Sequence, residues 1–429
     1  MSKLASSSIL TTDDVRRRVL DNGMVLLARE THSSPTVSCM IWYRVGARNE
    51  VSGQTGRSHF LEHMLFKGTE KLGKGEIDLL TLKHGGNNNA FTSYDFTAYY
   101  FNFAADRWKK ALEVESDRMC NTVFDPVEFE SEKRVVIEEL KTGLDQPWGL
   151  LLQELQVTAY SRHAYRNPVV GWLQDLDATT REGMEAYYRR HYHPANATLV
   201  LVGDFDVDQA LDEAEEAFGA IPAGLPPDPV EIIEPEQLGE KRITLRWRSD
   251  VPRLAIAYHA PRIGHEDSFP LQVLTVILTE GKSSRFYQRL VENEQSATFV
   301  GADYGESQDP TLFHIRCESR GDHEPAAIEA SIFDELHGIG VDGVSEHELE
   351  RAKHQIEAHF VLSKERTLDQ AMLLGQIETL CGLEYVDTYL SRIAAVDSAG
   401  VADVCRRYLV EKNRTVAWML EEDVQGEEH

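Results

Sequence analysis

The sequence has little that would tie it to a membrane, a nucleic acid or a disulfide framework. No apolar stretch approaches the ~18–20 residues a membrane helix needs, and the best, Ala197–Val202, is strand-sized. Basic residues are scarce, with 44 Lys+Arg against 71 Asp+Glu and a net charge of −27. A surface this acidic repels phosphate backbones and anionic lipid, so no nucleic-acid partner and no membrane insertion are expected, and basic, flexible ligands are favoured. The five cysteines, Cys39, Cys120, Cys317, Cys381 and Cys405, are scattered and form no CxxC pair. Neither a disulfide scaffold nor a cysteine zinc site is expected from them. Met1–Asp14 is polar and lacks the apolar core of a signal peptide, which makes the cytoplasm the expected compartment, with a removed leader as the alternative.

What is present is an ordinary globular balance. The chain has 429 residues, 42% hydrophobic and 27% charged, enough for two or three domains. Val15–Leu20 and Met24–Arg29 flank Asp21-Asn22-Gly23, a tight-turn signal, and read as a hairpin. Thr36–Val45 is β-branched and aromatic and reads as a strand. Helices are expected over Gly56–Phe66, Glu76–Lys83 and Ala105–Met119, and a long one from Pro126 through Leu140 and beyond Pro147. His84–Asn89 reads as a loop and Ala90–Phe103 as paired strands.

Five prolines fall within Pro222–Glu240, which cannot be helical and reads as an extended linker. Beyond it the order of elements repeats. Strands are expected at Lys241–Ser249 and Arg253–His259, helices at Asp267–Leu278 and Ser283–Glu294, and strands at Ala297–Tyr304 and Thr311–Glu318. Long helices follow, with a last strand at Thr415–Leu420. Grouped rather than alternating helices favour an α+β class. The expected architecture is two similar repeats, 15–221 and 241–425, joined by the linker 222–240, each a mainly antiparallel sheet packed with helices.

The sharpest local feature is His59-Phe60-Leu61-Glu62-His63. On a helix, His59 and His63 share a face and can reach one ion. Glu62 stands at the margin of that face, where a carboxylate can take the proton of a water acidified by a metal. A catalytic zinc needs a third protein ligand and an open position, so a further carboxylate, His or Cys must come from elsewhere.

The run Gly56-Arg57-Ser58-His59-Phe60-Leu61-Glu62-His63-Met64-Leu65-Phe66-Lys67-Gly68-Thr69 resembles the active-site helix of the pitrilysin/insulinase family of inverse zincins. The likeness is nearest to the short-chain branch that includes the mitochondrial processing peptidase and its bacterial relatives. Gly85-Gly86-Asn87-Asn88-Asn89-Ala90-Phe91-Thr92, Glu132-Lys133-Arg134-Val135-Val136-Ile137-Glu138-Glu139, Tyr192-His193-Pro194-Ala195-Asn196-Ala197 and Gly281-Lys282-Ser283-Ser284-Arg285 resemble further family segments in order. The resemblance implies a zinc-dependent endopeptidase with a zinc-binding catalytic domain over 15–221 and a second homologous domain over 241–425.

It implies Zn2+ held by His59, His63 and Glu139, which lies 76 residues after His63. It further implies Glu62 as the catalytic base and Glu132 as a supporting carboxylate near the active site. Glu132 stands two helical turns before Glu139 and faces the same way, whereas Glu138 points ~100° aside. An extended peptide substrate would add to an edge strand at Asn89, Ala90, Phe91 and Thr92.

One departure matters. The family uses an Arg and a Tyr of the second domain at the substrate carbonyl. Arg285 matches the Arg, but the Tyr position reads Phe299 in Ala297-Thr298-Phe299, and Tyr304 stands at a separation that puts it on the opposite face of a strand. Two explanations compete. Either the chain is the zinc-bearing subunit of a heterodimer whose zinc-less paralogue supplies both groups, or it acts alone or as a homodimer, with a weakened site or a shifted tyrosine. The alternative to catalysis is a scaffold or partner-binding subunit of the same fold.

Overall fold

The computed structural model describes residues 11–226, 229–248, 251–321, 323–362 and 365–422. Pro227 and Asp228 of the linker, Ser249 at the end of an expected strand and residues 423–425 of the expected second domain lie outside the described residues. The fold is α+β, built on two sheets. The first contains β1 (Arg16–Val19), β2 (Val25–Glu30), β3 (Thr36–Tyr43), β4 (Asn87–Thr92), β5 (Thr97–Ala104) and β6 (Ala197–Gly203) in the order β1-β2-β6-β3-β5-β4. The second contains β7 (Lys241–Trp247), β8 (Arg253–Ala260), β9 (Ala297–Tyr304), β10 (Thr311–Ser319) and β11 (Arg414–Glu421) in the order β7-β11-β8-β10-β9. Without β1, the two orders correspond strand for strand. In each, the opening strand pairs in parallel with the last one, β2 with β6 and β7 with β11, and every other pair is antiparallel. The repeat read from element order is therefore a repeat of topology.

In the first half, helices α1 (Arg57–Met64), α2 (Glu76–Lys83), α3 (Lys109–Asn121), α4 (Pro126–Leu144), α5 (Pro147–Ala159), α6 (Leu173–Ala178), α7 (Arg181–His191) and α8 (Val207–Phe218) follow in order. The second half adds α9 (Ser268–Thr279), α10 (Pro325–Asp342), α11 (Glu346–Leu362), α12 (Thr367–Leu380), α13 (Tyr385–Ala395) and α14 (Ser398–Tyr408). Three expectations shift. The long helix after Pro126 stops at Leu144, because the residue before a proline is driven out of the helical region, and Gln146 is extended at φ −90°, ψ 126° before Pro147 opens α5. The expected loop over His84–Asn89 gives way to strand at Asn87, where side-chain bonds from Asn102 to Asn87 and from Asn88 to Thr81 offset the weak β preference of asparagine. The second helix of the second half is wound wider, as a π-helix over Tyr287–Asn293.

The chain forms two compact units. One takes residues up to Leu140, Asn167–Glu231 and Phe360–Asp387, and the other takes Lys141–Arg166, Ile232–His359 and the chain from Thr388 onward. Each unit therefore includes a helix encoded in the opposite half of the sequence. In the first, α12 covers β3 and β6. Its approach is close: a Cβ at Gly375 would collide with the indole of buried Trp42 on β3. In the second, α5 covers β7, β8 and β11. It buries Leu151 and Leu155, and the Ala159 carbonyl at its end accepts from Lys241 Nζ at 2.8 Å and meets His259 Nε2 at 3.1 Å.

Candidate metal centre

The site lies within the first unit, and helix α1 is its base. Gly56 precedes α1 in a left-handed conformation at φ 81°, where a Cβ would also strike the Val170 carbonyl. With no capping side chain at Gly56, the exposed amides of the helix start are met by Glu50. That carboxylate is buried and accepts from the Gly56 and Ser58 amides, each at 2.7 Å. Phe60, Leu61 and Met64 anchor the inner face of α1, so His59, Glu62 and His63 are presented on its other side. Edge strand β4 packs beside α1.

Three side chains converge. His59 Nε2 lies 3.8 Å from Glu139 Oε1, His63 Nε2 lies 3.5 Å from Glu139 Oε2, and one ligand atom from each residue falls within 4.8 Å of the others. Those spacings are long for hydrogen bonds. Two donors that each sit ~2.0–2.1 Å from one tetrahedral ion are ~3.3 Å apart, so the gap suits a shared metal rather than direct contact. Burial, helped by the neighbouring His63, pulls His59 down to a pKa of about 4, which keeps its imidazole neutral and able to ligate. On the far side of His63, Nδ1 meets Glu132 Oε1 at 2.9 Å, and Lys67 Nζ holds the other Glu132 oxygen at 2.5 Å. A carboxylate behind a ligating histidine fixes the ring and its tautomer. Burial opposes ionisation of Glu132, but its bonds to His63 and Lys67 carry its pKa below the usual value. Two nitrogens and one carboxylate oxygen, with one histidine braced from behind, form a donor set that suits zinc.

The chain matches the family model described as Insulinase (Peptidase family M16) over residues 25–171 and that described as Peptidase M16 inactive domain over 178–356. It belongs to the pitrilysin/insulinase family. An uncharacterized zinc protease, YmxG of Bacillus subtilis, is 28% identical over 92% of this chain and 96% of its own length. A probable mitochondrial-processing peptidase subunit beta of Arabidopsis thaliana is 24% identical over 95% of this chain and 79% of its own. The crystal structure of a protease from Helicobacter pylori superposes with a TM-score of 0.91 at 25% identity, covering 94% of this chain and 99% of that one. The chain thus belongs to a family of metallopeptidases whose metal is Zn2+.

The remaining expected site residues fall as follows. Glu62 stands beside the pair of histidines, half-buried, and burial raises its pKa in spite of a hydrogen bond from Thr92 Oγ1 at 2.5 Å. Asn89, Ala90, Phe91 and Thr92 all lie on β4, at the sheet edge. Phe91 packs edge-on against Trp42 at 5.6 Å, whereas Thr92 faces α1. Arg285 belongs to the second unit. There its guanidinium is bound to Glu348 at 2.7 and 3.0 Å and to Glu335 at 3.1 Å. Phe299 on β9 is 42% exposed. Tyr304, at the other end of that strand, is buried at 9% exposure with its hydroxyl donated to the Pro261 carbonyl at 2.5 Å, so it does not stand in for the missing tyrosine.

Sequence reasoning missed three contributors: Glu50, Lys67 and the hydroxyl of Thr92. Lys67 was in view within the family-like run after His63. Glu50 carried no local signal beyond standing six residues before a glycine.

Among the described residues, no helix is long and apolar enough to cross a membrane.

Proposed function

We propose that this chain is a zinc endopeptidase for extended, flexible peptides, acting as the zinc-bearing subunit of a heterodimer. The observation that carries the reading is the convergence of His59, His63 and Glu139, with Glu62 beside them and the edge strand β4 packed beside the same helix. His59, His63 and Glu139 would hold the ion. When bound, zinc supplies a Lewis acid that polarises the scissile carbonyl and acidifies water. Glu62 accepts the proton of the attacking water and later hands it to the leaving amine. Glu132 keeps the His63 ring oriented and Lys67 keeps Glu132 in place. The backbone of Asn89–Thr92 pairs with the substrate as an added strand, which selects chains able to extend. The net charge of −27 favours basic peptides, and the cytoplasm is the compartment consistent with the sequence.

The heterodimer is supported by two positions of the second unit, Arg285 and Phe299. Arg285 is engaged by two carboxylates and Phe299 has no hydroxyl to donate. The same observations favour, as a second reading, a weakly active or inactive subunit that serves as a scaffold. In this proposal the repeats 15–221 and 241–425 are the zinc-binding and the homologous domain, with 222–240 between them. The test is zinc content of the purified protein together with cleavage of an unstructured basic peptide, alone and with a zinc-less paralogue. About one zinc per chain, with cleavage alone or restored by the paralogue, supports the reading. Lack of zinc ends it, and zinc without cleavage in either preparation leaves the scaffold.

A further inference from the structure

Thr92 is the last residue of β4 and lies opposite Thr97 in the β4–β5 register. Thr97 is fully buried, and its hydroxyl donates to the Val45 carbonyl at 2.9 Å. Its oxygen is 3.4 Å from Thr92 Oγ1, and its only hydroxyl hydrogen is already committed. The single hydroxyl hydrogen of Thr92 goes to Glu62 Oε2 at 2.5 Å. Side chains in a strand stand perpendicular to the sheet, whereas an added strand pairs with edge backbone. Asn88 and Thr92 share one face of β4, where Asn88 bonds to Thr81 of α2 and Thr92 to Glu62 of α1. The Thr92 hydroxyl therefore points at the catalytic helix and not along the edge that a peptide would occupy.

We infer that Thr92 is a positioning residue for Glu62. By holding Oε2 it leaves Oε1 as the oxygen that meets the attacking water, and it ties the aim of the base to the strand that seats the substrate. This rests on the peptidase reading above and assigns Thr92 a role other than substrate contact. The β-branched side chain is kept in Thr92→Val, which removes only the hydrogen bond.

The test compares zinc-loaded wild type, T92V and T92S. Misplacing a reacting group by about 1 Å costs on the order of 10²-fold. For T92V, kcat on an unstructured basic peptide, with the paralogue if cleavage requires it, should fall ~10–100-fold. KM and zinc content should stay within about twofold, and T92S should restore most of the loss. A raised KM with unchanged kcat, or no effect, overturns the inference. A crystal structure of T92V gives a readout that needs no turnover. Glu62 should leave its wild-type rotamer or occupy more than one, and an unchanged single rotamer overturns the inference. Wild type that takes no zinc or cleaves nothing sinks the peptidase reading instead, and the rotamer comparison still decides the role of Thr92.

Discussion

Glu132 Oε1 lies 2.9 Å from His63 Nδ1 and thereby joins the middle of α4 to α1 directly behind a metal-facing nitrogen. Replacing such a partner costs ~10–100-fold in metal affinity. Glu132→Ala should raise the zinc dissociation constant by that factor without unfolding the chain, and Lys67→Met should do so by less. Competition with a chromophoric chelator measures both. Unchanged affinity in Glu132→Ala would remove Glu132 from the support of His63.

Glu62 and Glu139 are expected to fail differently. Glu62→Gln should keep zinc and lose turnover by ~10²–10⁴-fold, the range for a general base. Glu139→Gln should lose zinc first. Metal analysis after dialysis, set beside peptide cleavage, separates the two, and a Glu62→Gln protein that still turns over would require another base.

Glu50 gives stability a pH dependence of predictable sign. Burial raises its pKa to about 7, against the pull of the two amides it accepts from and of nearby Arg57. The native state keeps a proton that the unfolded chain releases near ~4.5, so the contribution of Glu50 falls as pH rises from about 4.5 through 7 and is level above that. The full span is at most about 3 kcal/mol. Glu50→Gln should flatten this part of the profile while weakening the cap of α1. Urea midpoints at pH 5 and pH 8 test it, and an identical pH difference in both proteins would refute the assignment.

Phe299→Tyr should leave stability within about 0.5 kcal/mol, because the side chain is on an exposed part of β9. If a missing hydroxyl limits the lone chain, turnover should rise toward the ~10²-fold that one oxyanion donor is worth. Steady-state cleavage by the isolated variant reads this directly, and no gain places the defect elsewhere.

Most of the strands were legible from local periodicity and the shared face of His59 and His63 from their spacing along one helix, whereas Glu139, on another helix 76 residues further on, was legible only through the family resemblance. Ala297–Tyr304 was placed to the residue, and the topological repeat could be read from element order. What escaped were relations that no local pattern encodes. Asn87 and Asn88 looked like loop until the side chains of Asn102 and Thr81 were there to hold them. Glu50 is one acid among 71 and is distinguished only by the amides it meets. The destinations of α5 and α12 were equally hidden, since an apolar helix states that it will be buried but not against which sheet.

The loan of α12 sets a schedule for the chain as it is made. β3 and β6 are complete once residue 203 has emerged, yet the helix that covers them ends only at Leu380. Until then Trp42 and its neighbours have no lid, so the nascent first sheet must wait, shielded or loosely formed, through nearly two hundred more residues of synthesis. Halves of this molecule cannot mature one after the other on the ribosome.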